Sequence, residues 1–304
     1  MKSVRKIKRV LKSKPTLEGA GVLLKRVFGN QHVPQFDPFL LLDDFKSDNP
    51  NDYIRGFPWH PHRGIETITY VLNGAVEHGD SLGNEGVIQS GGVEWMTAGS
   101  GIIHQEMPKG EQDGKMWGFQ LWANLPASHK MMHPRYRDIR PQQIPEVKMD
   151  NGVVIKIVCG KVNDTAGPVQ DVVIDPEYLD VTIPPKTSFT HQVYKGYTVF
   201  AYVIEGEAYF EPERDPFGYE VEGRNYFDLK RDLLTGPESL ILFDDGDELS
   251  IVTEKNKVRF LLVSGKPIGE PIAWYGPIVM NTQEELRIAF DEYQKGTFLK
   301  HEEV

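Results

Sequence analysis

The chain has 304 residues, 39% of them hydrophobic, with 29 glycines and a net charge of −10; this is enough for one large or two medium globular domains rich in turns. No run of 18 apolar residues occurs, so no membrane-spanning helix is expected. The single cysteine, Cys159, argues against an intramolecular disulfide framework or a Cys-x-x-Cys zinc site, and it fits the cytoplasmic location we expect.

The chain opens on MKSVRKIKRVLKSK, with seven Lys/Arg and no acid, which leaves −17 on the remainder. This stretch lacks the apolar core of a secretory signal and is expected to be retained. It reads as a solvated terminal segment or as an edge strand protected by lysines. A nucleic-acid arm is the weaker reading because the acidic body repels phosphate, and no direct nucleic-acid binding is expected.

Short runs rich in Val, Ile, Thr, Tyr and Phe follow, broken by Gly, Asn, Asp and Pro. TITYVLNG (67–74), VVIKIVCG (153–160), TVFAYVIEG (198–206), SLILF (239–243) and VRFLLVSG (258–265) predict strands of an all-β sandwich or barrel. YVLNG at 70–74 is echoed by YVIEG at 202–206, an offset of 132. Two β-barrel domains are therefore expected, joined within the proline- and charge-rich 125–146 and divided as 1–137 and 138–304. The polar stretch 211–236 reads as an extended loop. A helix is expected over 281–295: Thr282 and Glu285 form a capping box, Leu286, Ala289, Phe290 and Tyr293 an apolar stripe, and Gly296 a stop. It is expected to pack on the outside of a barrel.

Histidine is scarce, nine in 304 residues, yet FPWHPHRGIET (57–67) places His60 and His62 two apart around Pro61. Residues two apart on a strand share a face, so both imidazoles aim at one spot. GSGIIHQEMP (99–108) repeats the spacing with His104 and Glu106. Together these supply three imidazoles and a carboxylate, suited to iron, manganese, nickel, copper or zinc, with no thiolate to favour a soft metal. On a six-coordinate ion two positions stay open for water, O2 or substrate. Glu66 is a second candidate carboxylate ligand if residues 60–66 run as one strand, a register that Arg63-Gly64 could break. Otherwise it is an acceptor orienting an imidazole N–H. Phe57, Trp59, Met107 and Trp117 lie near these motifs as candidate pocket walls, although each suits an ordinary barrel core equally well. At the offset of 132, Gln192 and Tyr194 stand opposite His60 and His62, so no second three-histidine site is expected.

FPWHPHRGIETITYVLNG followed by EWMTAGSGIIHQEMP resembles the pirin family of the cupin superfamily. LLLDDF (40–45), FQLWANLP (119–126) and GPIVMNTQEEL (276–286) extend the match over nearly the whole chain. The resemblance implies a bicupin, two double-stranded β-helix (jelly-roll) barrels packed face to face. Residues 1–137 would be the metal-binding cupin, and 138–304 a cupin-like domain without metal. It implies His60, His62, His104 and Glu106 as ligands, which favours Glu106 over Glu66, and Fe(II) as the natural ion; Zn, Cu, Ni, Mn or Co could stand in for it in a purified form. Two departures from the general cupin motifs are present: Glu66 sits one residue closer to the histidine pair, and Gly99 stands where proline is usual.

The resemblance also implies two functions. One is a quercetin (flavonol) 2,3-dioxygenase, a quercetinase acting on a small phenolic or enol substrate with O2, with Glu106 as catalytic base. The other is a regulatory protein that binds a transcription factor or metabolic enzyme according to its metal and redox state.

Overall fold

The computed structural model describes residues 2–215, 217–222 and 233–301. The strand-forming runs pair into sheets, mostly antiparallel, and the chain separates into two compact units. One comprises Lys14–Gln143 and Ile268–Val304, the other Met1–Ser13 and Ile144–Pro267. Among the described residues no helix is long and apolar enough to cross a membrane.

The first unit is a pair of antiparallel sheets. The larger runs in the order Arg135–Ile139, Val93–Thr97, Ile65–Asn73, Met116–Asn124, Phe39–Ser47, Val22–Phe28, Lys14–Glu18. The smaller runs Phe57–His62, Ile102–Lys109, Ala75–Asp80, Glu85–Gln89. Alternate residues of both turn inward, so Val22, Leu24, Phe45 and Val71 of the larger sheet meet Val76 and Ile88 of the smaller in one buried cluster. The second unit closes a sheet in the order Glu146–Lys148, Val154–Cys159, Glu177–Ile183, Val258–Gly265, Thr198–Gly206, Ser239–Phe243, Ile7–Lys12, Glu220–Val221, with a ribbon of Ser188–Gln192 and Glu248–Val252. Its core is mostly aliphatic, with Ile157, Leu179, Val199, Ile241 and Leu262 all fully buried beside Phe189 and Phe260.

The units do not divide the chain at 137/138. The basic N-terminus is a strand, Ile7–Lys12, but it belongs to the second unit, paired antiparallel with Ser239–Phe243. Its apolar residues Ile7 and Val10 need a buried face, which the core of that unit supplies. The helix, Gln283–Gln294, has the expected reciprocal Thr282–Glu285 capping box. It belongs to the first unit, where Leu286 and Ala289 pack on Ala273, Ile278 and Met280. Arg63, 2% exposed, binds this C-terminal segment: its guanidinium donates to Ser100 O, to Glu292 Oε2 at 2.7 Å and to Phe298 O at 2.7 Å. Within the 211–236 stretch, Glu220–Val221 is not loop but a short strand beside Ile7–Lys12. Residues 216 and 223–232 lie outside the described residues.

Gly64 (φ +78°) makes the turn between the histidine strand and Ile65–Asn73. A Cβ there would lie 2.0 Å from Val279 O. The buried Lys130 ammonium binds the same place, donating to Gly64 O, Val279 O and Asn124 Oδ1, and burial pulls its pKa down to about 7. Gly64→Ala must therefore push Val279 away and adopt a left-handed backbone. We expect a loss of roughly 2–4 kcal/mol, read as a lower urea midpoint.

Candidate metal centre

His60 and His62 stand on Phe57–His62, and His104 and Glu106 on Ile102–Lys109. Antiparallel pairing sets His104 opposite His60. Two pairs further along the partner strand, Glu106 faces Phe57, so Phe57–His62 carries one extra residue, a bulge at Pro58–Trp59. The bulge brings Pro58 O to 2.8 Å from His60 Nδ1. His62 Nδ1 lies 3.0 Å from Pro277 O. A carbonyl only accepts, so both Nδ1 atoms carry the proton and both Nε2 atoms present a lone pair.

Those lone pairs converge. His60 Nε2 lies 3.0 Å from His62 Nε2 and 3.0 Å from His104 Nε2. The ligand atoms of His60, His62 and His104 all fall within 4.8 Å of one another. Burial, then the neighbouring imidazoles, hold His62 and His104 well below the ordinary histidine pKa, so both are neutral. Neutral acceptors facing one another repel unless a cation sits among them, so this donor set fits a transition metal.

Glu106 is buried on the same strand but stands outside that three-ring group. Its Oε1 accepts from Thr69 Oγ1 and its Oε2 from Gln120 Nε2, each at 2.8 Å. Gln120 Oε1 in turn accepts from Trp122 Nε1 at 3.1 Å, and the Trp122 ring meets His62 edge-on at 5.1 Å. Gln120 and Trp122 were missed as site residues, although FQLW carried the signal: two residues apart on a strand, they share a face.

Glu66 is placed elsewhere. The turn at Gly64 breaks the register, so Glu66 points to the opposite face of its sheet, where Thr97 Oγ1 and Trp95 Nε1 donate to it. It orients no imidazole; backbone carbonyls do. Burial raises its pKa.

A cavity of about 570 Å³ opens on His60 and His62. Phe57, Trp122 and Trp274 are its aromatic walls, and Arg26 with Asp43 its polar one. Of the four expected pocket residues only Phe57 lines it. Trp59, next to His60, must point the other way and is 53% exposed. Met107, next to Glu106, lines a separate hollow beside Glu77 and His78. Trp117 donates to Asp44 Oδ1 beneath Lys46.

The family described as Pirin matches residues 21–123, and the Pirin C-terminal cupin domain matches 178–299. A pirin-like protein of Caulobacter vibrioides is 41% identical over 296 residues, covering 97% of this chain and 99% of that protein. The chain belongs to the pirin family. A pirin-like protein of Solanum lycopersicum is 37% identical over 95% of this pirin and 91% of its own length. Among solved structures, quercetin 2,3-dioxygenase from Acinetobacter baumannii superposes with a TM-score of 0.83 at 28% identity, covering 97% and 99% of the two chains. The two-barrel, all-β architecture of this pirin is thus the bicupin fold.

Arg26 grips Asp43 through two bonds of 2.9 and 2.7 Å and reaches Glu18 at 2.7 Å. Burial lifts the Asp43 carboxyl to about 6, with Arg26 opposing. Arg26→Met leaves that carboxylate buried and unpaired, and we expect a loss of about 3 kcal/mol near neutral pH. The folded pKa of Asp43 lies above its unfolded value, so its ionisation weakens the fold as pH rises through the folded pKa. Without Arg26 nothing opposes the burial, so the carboxyl pKa of the variant lies higher still, and its deficit should shrink as pH falls toward 6 and be smallest below it. Urea unfolding across this pH range reads it directly.

Proposed function

We propose that this pirin is a metal-dependent dioxygenase of the quercetin 2,3-dioxygenase type, holding one non-haem ion, Fe(II) in the native protein, on His60, His62 and His104. The observation that carries the reading is the convergence of three imidazole Nε2 atoms at the end of an aromatic-walled cavity. The likeness to a quercetin 2,3-dioxygenase structure supports the substrate class.

A bound ion supplies a Lewis acid for a phenolic hydroxyl and an electron source for O2. The chain supplies the rest. Phe57, Trp122 and Trp274 offer ring faces to a planar aromatic substrate. Glu106 takes the proton from the reacting hydroxyl. The donors Thr69 and Gln120 fix the plane of its carboxylate, and Glu106 would serve as the fourth ligand of a bound ion. The Gln120–Trp122 bond ties that plane to the cavity wall, so a ring packed on Trp122 is positioned relative to the base.

Aerobic incubation with quercetin, with product identification, tests the reading. Ring-opened product is expected from the iron form, and absence of turnover in the iron, copper, nickel and manganese forms alike overturns it. Glu106→Gln should lower kcat by about 10²–10⁴-fold with the metal retained. His104→Ala should lose the metal itself, read by elemental analysis. Trp274→Ala should raise KM by roughly tenfold with kcat little changed.

A further inference from the structure

The second unit has its own opening, and its residues have no part in the metal reading. The inward positions of Thr198–Gly206 (Val199, Ala201, Val203) match Thr67, Thr69 and Val71 at the offset of 132. The preceding strand does not keep that offset. Phe189 and Val193 pack into the core and His191 is buried between them, whereas Gln192 and Tyr194 are exposed. One extra residue lies between the two strands. His191 therefore takes the inward place of His60, and its cross-strand partner, in the place of His104, is Leu249.

Above the aliphatic floor of Leu179, Val199 and Leu262 the inward positions become polar. Glu177 and Ser264 face each other across two paired strands. His191 Nε2 lies 2.9 Å from Glu177 Oε2, which fixes one carboxylate oxygen and leaves the other without a hydrogen-bond partner among the described residues. Tyr197 holds Asp175 in the same way, O–H to Oδ2 at 2.8 Å. Ser264 is 3% exposed, and its hydroxyl has no hydrogen-bond partner among the described residues. These groups border a cavity of about 360 Å³ with Lys161 on one side and Tyr194, 69% exposed, at the rim. The Ser264 hydroxyl borders the cavity, where a ligand hydroxyl can meet it. The Cys159 thiol, by contrast, is already engaged with Val169 O and Pro176 O.

The chemistry of the lining selects the ligand. Two carboxylates meet any anion with repulsion, and the Lys161 ammonium offsets part of their attraction for a cation. A neutral molecule with several hydroxyls can use both signs of the lining. Each hydroxyl both donates and accepts, matching acceptors at Asp175 and Glu177, a donor at Lys161 and both at Ser264. The exposed Tyr194 ring offers a flat face for the C–H side of a saturated ring. We propose that the mouth of the second barrel binds a neutral polyol of monosaccharide size through Glu177, Ser264, Lys161 and Tyr194, independently of the metal.

Amide NMR titration of the full-length protein tests this with D-glucose, D-galactose, D-mannose and myo-inositol; glucosamine and gluconate serve as charged comparators. At least one neutral probe should give saturable low-millimolar shifts centred on Gly160, Lys161 and Gln192. Ser264→Val and the surface variant Tyr194→Ala, each with an unchanged melting temperature, should weaken it about tenfold or more. His104→Ala and chelation of the metal should leave it unaltered, so this result is independent of the dioxygenase reading. No saturable shift with any neutral probe, binding of the charged comparators only, or equal affinity in both variants overturns the proposal.

Discussion

Everything at the candidate centre depends on one pairing, Ile102–Lys109 lying antiparallel to Phe57–His62 with His104 opposite His60. A slip of one residue would turn His104 and Glu106 to the other face and bring Ile103 and Gln105 inward. The bulge at Pro58–Trp59 makes the second adjustment: it supplies the carbonyl that accepts from His60 Nδ1–H and so leaves Nε2 free. The rest of the first unit supports that geometry. Pro277 O, from the C-terminal segment, fixes His62, and Lys130 and Arg63 clamp the turn that follows.

Glu106 is held in place by its neighbours: its two oxygens are satisfied by Thr69 and Gln120. Gln120 is the hinge of this arrangement, since its amide nitrogen serves the carboxylate and its oxygen serves Trp122. The cavity wall and the Glu106 carboxylate are joined through a single side chain.

The all-β class, the three-histidine cluster and the capped helix were all legible in the sequence, because each rests on local spacing: two on a strand, three to four on a helix. The site walls were less so. Trp59, Met107 and Trp117 were chosen for nearness in sequence, yet a residue adjacent to an inward-pointing one faces outward, and only Phe57 meets the cavity. Trp274, Arg26 and Asp43 come from strands far in sequence from the histidine motifs, and no local pattern connects them. The break at Gly64 was an open alternative in the sequence, and the structure closes it by sending Glu66 to Trp95 and Thr97. The domain limits were not legible for the same non-local reason: nothing in IKRVLK says that its partner is SLILF, some 230 residues later.

That last pairing bears on how the molecule can be made. During synthesis the first strand of the second unit leaves the ribosome long before the strand it must join, and it stays unpaired until residues 239–243 emerge. The first unit waits longer still, since Val279 and the helix that complete it are among the last residues produced. Severed near its middle, the C-terminal half lacks the strand Ile7–Lys12, and the N-terminal half holds the strands of both sheets of the first unit but lacks Ala273–Tyr275, Ile278–Met280 and the helix that pack on them. Each unit is therefore finished only by residues from the opposite end of the chain.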